Sequence, residues 1–233
     1  MELIERALGR GQKNLSEYES KLLLKAYEIP VAREKLVQDQ VAVLAAAREI
    51  GYPVVLKFCS PWLPHKTEKS LIELDIRDEA TLKEALRRLR ERAEDSQGGF
   101  LVQEMVKGSR ELVMGMIRDA QFGPCVMFGL GGIFTEVLND VSFRAAPLTR
   151  QDASEMMAEI QGRKILEAIR GLEAVDREAI LRSLISLGRL GLENETIQEV
   201  DVNPLIVRGS QPLAVDALVV LVDPPQKVAL AAA

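Results

Sequence analysis

The sequence contains a single histidine, His65, in the loop SPWLPHKTEKS. Imidazole is nucleophilic while neutral near pH 7. With no second histidine and no cysteine cluster close by, His65 makes a poor metal ligand. No G-x-S-x-G elbow exists to complete a serine triad. An acid–base role, a nucleophile, or no chemical role at all remain. A second set of chemical groups lies in QEVDVNPLIVRGSQPLAVDALVVLV. Alternate side chains of a strand share a face, so Glu199, Asp201 and Asn203 point one way and Val200 and Val202 the other. Gly209-Ser210 suits a two-residue type II′ hairpin turn. That turn opposes Arg208 to Gln211, Val207 to Pro212 and Asn203 to Asp216, and directly opposed residues point to the same side. One surface then carries Asp201, Asn203 and Asp216. These are hard oxygen donors of the kind magnesium takes, with water and phosphate completing its shell. The alternative is a solvated hairpin face. A lone carboxylate in the apolar run PLAVDALVVLV needs a partner, which speaks for the metal.

Lys57 sits in the otherwise apolar run VVLKFCS. A buried ammonium is costly unless paired; a phosphate would pair it, and an edge lysine that snorkels to water is the alternative. FGLGGIF, residues 128–134, is a glycine-rich turn whose N–H groups can approach an anion. Gln103 and Glu104 end one strand and Glu111 starts the next, so they can hydrogen-bond an adenine edge and a ribose, although acids at strand ends are commonplace.

The elements that must position these groups follow from periodicity and punctuation. Ser16 and Glu19 have capping-box spacing ahead of a helix in SEYESKLLLKAY, which the Ile29-Pro30 step should end. VAREKLVQ reads as a strand, Asp39 caps a helix to about Ile50, and VVLKFCS and SLIELDI read as strands. After Asp78, Leu82, Ala85, Leu86, Leu89 and Ala93 recur at helical spacing, and the charges opposite them read as a solvated face. Gln97-Gly98-Gly99 is the best internal boundary. Beyond it FLVQEMV, ELVMGMI, PCVMFGL and VSFRAAP read as strands. Thr149 begins a helical stretch to about Leu172, broken near Gly162, and Asp176 caps another to about Arg189. TIQEVDVNPLIV and PLAVDALVVLV read as the last two strands. Strands are not strictly separated by helices, so a pure doubly wound sheet fits poorly.

The totals narrow the class of function. Of 233 residues, 47% are hydrophobic and 28% charged, enough for a core under an ordinary polar surface. The net charge of −5 leaves no basic excess, so no nucleic-acid partner is expected. No apolar run reaches spanning length, so no membrane role is expected. The two cysteines, Cys59 and Cys125, read as buried thiols in a reducing, cytoplasmic setting.

Four stretches carry a family resemblance: AYEIPVAREKLVQ, IGYPVVLKFCSPWLPHKT, LVQEMVKGSRELVMGMIRDAQFGPCVMFGLGGIFTEVLNDVSFRAAPL and EVDVNPLIV. The chain resembles the β subunit of ADP-forming acyl-CoA synthetases (acetate–CoA ligase, ADP-forming), an ATP-grasp module related to the succinyl-CoA synthetase β subunit. The resemblance implies an α/β (α+β) ATP-grasp fold of two subdomains, 1–98 and 99–223, with the nucleotide between them and a tail at 224–233. It implies that Lys57 meets the ATP phosphates, that Gln103, Glu104 and Val106 form the adenine hinge, and that Glu111 lies near the ribose. Asn203 and Asp216 match magnesium ligands, with Asp201 beside them, and His65 matches a phosphohistidine. The implied reaction is acetyl-CoA + phosphate + ADP to acetate + CoA + ATP, reversibly. A partner α subunit, in an α2β2 heterotetramer, would bind CoA and form the acyl phosphate. The sequence departs from the family in one place: Thr67-Glu68-Lys69-Ser70-Leu71 lacks the glycine pair that usually follows the histidine loop. A non-catalytic nucleotide-binding regulatory subunit is therefore the alternative reading. A carboxylate–amine ligase would not need the histidine loop.

Overall fold

The computed structural model describes residues 2–62, 71–93, 97–132, 140–169 and 171–222. His65 lies outside the described residues. Two antiparallel sheets dominate. The first has the order β1-β4-β2-β3, from Glu34–Val37, Gly99–Glu104, Val54–Cys59 and Ile72–Ile76. The second has the order β10-β8-β5-β6-β7, from Leu218–Leu221, Ile197–Arg208, Glu111–Asp119, Gly123–Leu130 and Val141–Ala145, and β9 (Gln211–Ala214) also pairs with β8.

Alternation along β2 decides what each sheet face does. Val54, Leu56 and Phe58 join the core formed with helices α3 (Gln40–Ile50) and α4 (Glu79–Ala93), whose Leu82, Ala85, Leu86, Leu89 and Ala93 are all buried. Val55 and Lys57 point to the opposite face. The second sheet packs Val200, Val202, Met114, Met116 and Phe128 against α5 (Arg150–Glu159) and α6 (Arg177–Glu193), together with Ile4 and Ala7 of α1 (Glu2–Gly9) and Leu23 and Leu24 of α2 (Glu17–Ala26). Arg110 and Arg118 hold connections by donating to backbone carbonyls: Arg110 to Gly209 at 2.8 Å, and Arg118 to Gly191 at 2.6 Å and Asn194 at 2.9 Å.

Several boundaries differ from expectation. The turn at 97–99 does not separate the sheets, because β4 lies inside the first one; the sheets divide after Glu104. Helix α2 stops at Ala26, three residues before Ile29, where Tyr27 caps it and Glu28 turns to a φ of 60°. The stretch after Thr149 is α5 followed by a short 3-10 turn at Arg163–Leu166, and α6 runs a turn past Arg189. Helix α1 was not foreseen; it is too short for periodicity to distinguish it from a loop. PLAVDALVVLV is two strands, not one, with Val215–Ala217 between them. The capping box of Ser16 and Glu19 forms as read, and Asp39, Thr149 and Asp176 cap their helices.

Helix α2 is fastened to both sheets by buried charge. Glu17 Oε1 accepts from Lys21 Nζ, one turn on, and from Lys57 Nζ of β2, each at 2.6 Å. Lys21 also donates to Gln103 Oε1 of β4 at 2.7 Å and to the Val215 carbonyl at 3.3 Å, and pairs with Glu34 of β1. Lys57 reaches the same Val215 carbonyl at 2.9 Å. Burial pushes the Glu34 carboxyl up, partly offset by Lys21. A small apolar cluster of Ala32, Val106, Leu213 and Val215 seals the junction.

Two stability measurements follow. Replacing Ser16 by alanine removes one side of the α2 cap and is expected to cost about 1 kcal/mol in urea unfolding. Lys21→Met leaves the buried Glu34 carboxylate without its cation and Glu17 with Lys57 alone, and is expected to cost about 3–5 kcal/mol in the same assay. A loss under 1 kcal/mol for Lys21→Met would mean that the network contributes little to holding α2.

Candidate functional site

A cleft of about 580 Å³ opens between the two sheets. Of the residues singled out from sequence, Lys57, Gln103, Val106, Glu111, Asn203 and Asp216 line it. Val55, Ile72 and Leu74 of the first sheet and Pro204, Ile206 and Val215 of the second add apolar walls. The combination of flat apolar surface and a few convergent polar groups is that of a small-molecule site.

The hairpin register explains how Asn203 and Asp216 meet. Arg208 opposes Gln211 and Val207 opposes Pro212, as the Gly209-Ser210 turn requires. Beyond the gap Asp201 opposes Leu218 and Val200 opposes Val219. The ladder keeps one frame on both sides of the gap, so Asn203 and Asp216 fall opposite each other within it. In that frame Val215 falls opposite Pro204: the Val215 N–H donates to the Pro204 carbonyl at 3.2 Å, proline has no N–H to return, and the Val215 carbonyl accepts from the two lysines.

Lys57 is 4% exposed and its partners lie within the chain. It does not snorkel; it is buried and pairs with the carboxylate of Glu17 while still lining the cleft. Burial alone would lower its pKa, but Glu17 and then Asp216, whose Oδ2 lies 3.9 Å away, raise it well above the usual lysine range. Lys57 is therefore a permanent cation at the cleft wall.

Two expected residues sit elsewhere. Glu104 follows Gln103 in β4 and so faces the other side. Its carboxylate accepts from the Arg33 N–H at 2.9 Å, Arg33 Nε at 3.0 Å and an Arg208 guanidinium nitrogen at 3.0 Å. Burial pushes that carboxyl up, but these bonds outweigh it and hold it below the ordinary range. The Glu104 side chain is thus not among the groups lining the cleft. Asp201 lies on the same β8 face as Asn203 but is not among the lining residues. Burial, then Glu199 and Asp216, push its carboxyl up to about 6. Among the described residues, no cluster of three or more His, Cys, Asp or Glu could hold a metal; the side-chain oxygens lining the cleft are those of Gln103, Glu111, Asn203 and Asp216.

The sequence reading missed Glu17, Lys21 and Glu34. The signal was present in EYESK: an i, i+4 Glu–Lys pair on the same helix face as Ser20 and Leu24, both buried. Glycine 132 of the glycine-rich turn adopts a φ of 65° beside Glu111, where an added Cβ would come within 2.7 Å of Glu111 Oε2. The rest of that turn, 133–134, lies outside the described residues. Cys59 and Cys125 are free thiols, Cys59 buried and Cys125 half-buried. Among the described residues no helix is long and apolar enough to cross a membrane.

Residues 6–221 match the family model described as ATP-grasp domain. The chain is 40% identical over 225 residues to the acetate–CoA ligase [ADP-forming] I subunit beta of Pyrococcus furiosus, covering 94% of this chain and 97% of that one. A structure of Ca. Korarchaeum cryptofilum dinucleotide forming acetyl-coenzyme A synthetase 1, in complex with coenzyme A, Ca-AMPCP and HgCl+, superposes with a TM-score of 0.90 at 42% identity, covering 95% of this chain and 99% of that one. A second structure of that protein, with coenzyme A and Mg-AMPPCP, has its phosphohistidine segment pointing towards the nucleotide binding site; it superposes with a TM-score of 0.84 at 42% identity, with the same coverage. With a family model matching nearly its whole length and relatives near 40% identity, the chain belongs to the ATP-grasp family, among the β subunits of the ADP-forming acetate–CoA ligases.

Proposed function

We propose that this chain is the nucleotide-binding β subunit of an ADP-forming acyl-CoA synthetase and that it passes a phosphoryl group through His65 to ADP. The observation that carries the reading is the convergence of Lys57, Gln103, Glu111, Asn203 and Asp216, from both sheets, on one cleft. Gln103, Val106 and Glu111 stand where an adenine and ribose would lie, beside the sheet junction. Lys57 marks the phosphate end, next to Asn203 and Asp216.

The placement of the loop ends supports the role of His65. Ile72, which begins β3, pairs with Lys57, and β2 ends at Cys59. The loop between them therefore starts and finishes beside the phosphate end. His65 lies six positions after Cys59, a reach of at most about 20 Å. In the proposed step the P–N bond on His65 breaks as a terminal phosphate oxygen of ADP forms the new P–O bond, and the imidazole leaves as the departing group. Lys57 contributes fixed positive charge at the transferring group, and the apolar walls exclude water. Positioning and electrostatics supply most of the catalysis in such transfers.

Asn203 and Asp216 fit a magnesium ion, which wants few protein ligands and all of them oxygen. When bound, the ion supplies charge neutralisation between phosphate oxygens. Asp201, on the same strand face, would support that pair. A partner α subunit would supply CoA binding and acyl-phosphate formation, in an α2β2 assembly and in the cytoplasm. The designation "subunit beta" of the Pyrococcus relative supports a partner of this kind. The run Thr67–Leu71 without its glycine pair favours a regulatory subunit as the second reading.

Labelling with [γ-³²P]ATP and Mg²⁺ separates the two. The intact chain, alone or with the α subunit, is expected to acquire acid-labile, base-stable label. His65→Ala should acquire none, and Asp216→Ala should label about a hundredfold more slowly. ATP binding without label, in the presence of the α subunit, would sink the relay and leave the regulatory reading.

A further inference from the structure

Lys21 and Lys57 have the same head group and reach the same carboxylate oxygen, yet they end differently. Lys21 Nζ donates to Glu17 Oε1, Gln103 Oε1 and the Val215 carbonyl, and also pairs with Glu34. An ammonium has three N–H donors, so Lys21 is saturated inside the protein. Lys57 Nζ donates to Glu17 Oε1 at 2.6 Å and the Val215 carbonyl at 2.9 Å, while Asp216 Oδ2 at 3.9 Å is beyond hydrogen-bond distance. One N–H of Lys57 remains, on a side chain that lines the cleft.

Glu17 does not line the cleft. Its side chain is fully buried and fixed by Lys21 one turn along the same helix. We propose that Glu17 is a positioning residue for the nucleotide's phosphates: it grips Lys57 from behind and presents the remaining ammonium donor to a phosphate oxygen. The inference rests on the cleft being the nucleotide site described above. A lysine stem has several rotatable bonds, and ordering them on binding weakens affinity. Glu17 and the Val215 carbonyl impose that order before the ligand arrives. Lys21 saturates and anchors the carboxylate, so the arrangement divides its labour: one lysine holds Glu17, and Glu17 holds the other.

The test is calorimetric binding of ADP and of adenosine, with Mg²⁺ constant, to the full chain and to Glu17→Gln, Glu17→Asp and Lys57→Ala. Glu17→Gln keeps the shape and an acceptor but removes the charge. ADP affinity is expected to fall about tenfold in this variant, the scale of a charge-assisted hydrogen bond. Adenosine affinity should stay unchanged, since adenosine has no phosphate for Lys57 to meet. A merely structural role would move both ligands together, or neither, and either result overturns the inference. If Lys57→Ala weakens ADP binding and Glu17→Gln does not, the role of Glu17 fails while the nucleotide site stands. If Lys57→Ala leaves ADP binding intact, the assignment of Lys57 to the phosphates fails and this inference with it. Should Glu17→Gln not fold, Glu17→Asp keeps the charge and shortens the reach. It is expected to lose about threefold in ADP affinity with adenosine unchanged, and equal changes for the two ligands count against the proposal.

Discussion

The structure turns on one buried carboxylate oxygen shared by two ammonium groups. Glu17 Oε1 lies 2.6 Å from both Lys21 and Lys57. Taking three charges out of water costs several kcal/mol per ion, and their mutual attraction does little more than offset that cost. The network is thus a poor source of net stability. Its effect is geometric: unpaired buried charge is so unfavourable that α2, β1, β2, β4 and the Val215 carbonyl have essentially one acceptable arrangement. That constraint ties α2, β2 and β4 to the Val215 carbonyl, at the wall of the cleft.

Everything else at the site follows from alternation and from one break in it. The period-two pleat sends Lys57 and Gln103 to the cleft face and Leu56 and Glu104 to the other. It does the same for Asn203 against Val202 in β8. The break lies at Val215–Ala217, where β9 has ended and β10 has not begun. In the ladder frame the Val215 carbonyl falls opposite Pro204, which has no N–H to donate to it. That carbonyl accepts from both lysines while Asp216 sits beside them. The ladder resumes in the same frame, so the break does not disturb the opposition of Asn203 and Asp216.

Opposite charges lie side by side at this end of the cleft, as a nucleotide site needs. Lys57 is held as a cation by Glu17 behind it and by Asp216 beside it. Asp216 in turn crowds Asp201, whose carboxyl rises to about 6 under burial, Glu199 and Asp216. A triphosphate and its magnesium would engage Lys57 and Asp216, which lie 3.9 Å apart, together.

Most of the elements, and the pairing frame of the β8–β9 hairpin, were legible in the sequence, because they rest on local physics. Capping side chains, the apolar stripe of α4, the β-branched run of β2 and the Gly209-Ser210 turn each act within a few residues. The identities of the cleft residues were legible through family resemblance, and for Asn203 and Asp216 through strand register as well. Three things were decided only in the tertiary structure. The sheet boundary fell after Glu104 and not at Gly98, because strand order depends on pairing between distant segments, which a glycine turn does not encode. The Glu104 carboxylate went to Arg33 and Arg208 and away from the cleft, since its partners are 71 and 104 residues distant in sequence. The partner of Lys57 was Glu17, 40 residues earlier. In the sequence that glutamate is an ordinary helix acid; only burial against two lysines gives its charge a single place to go.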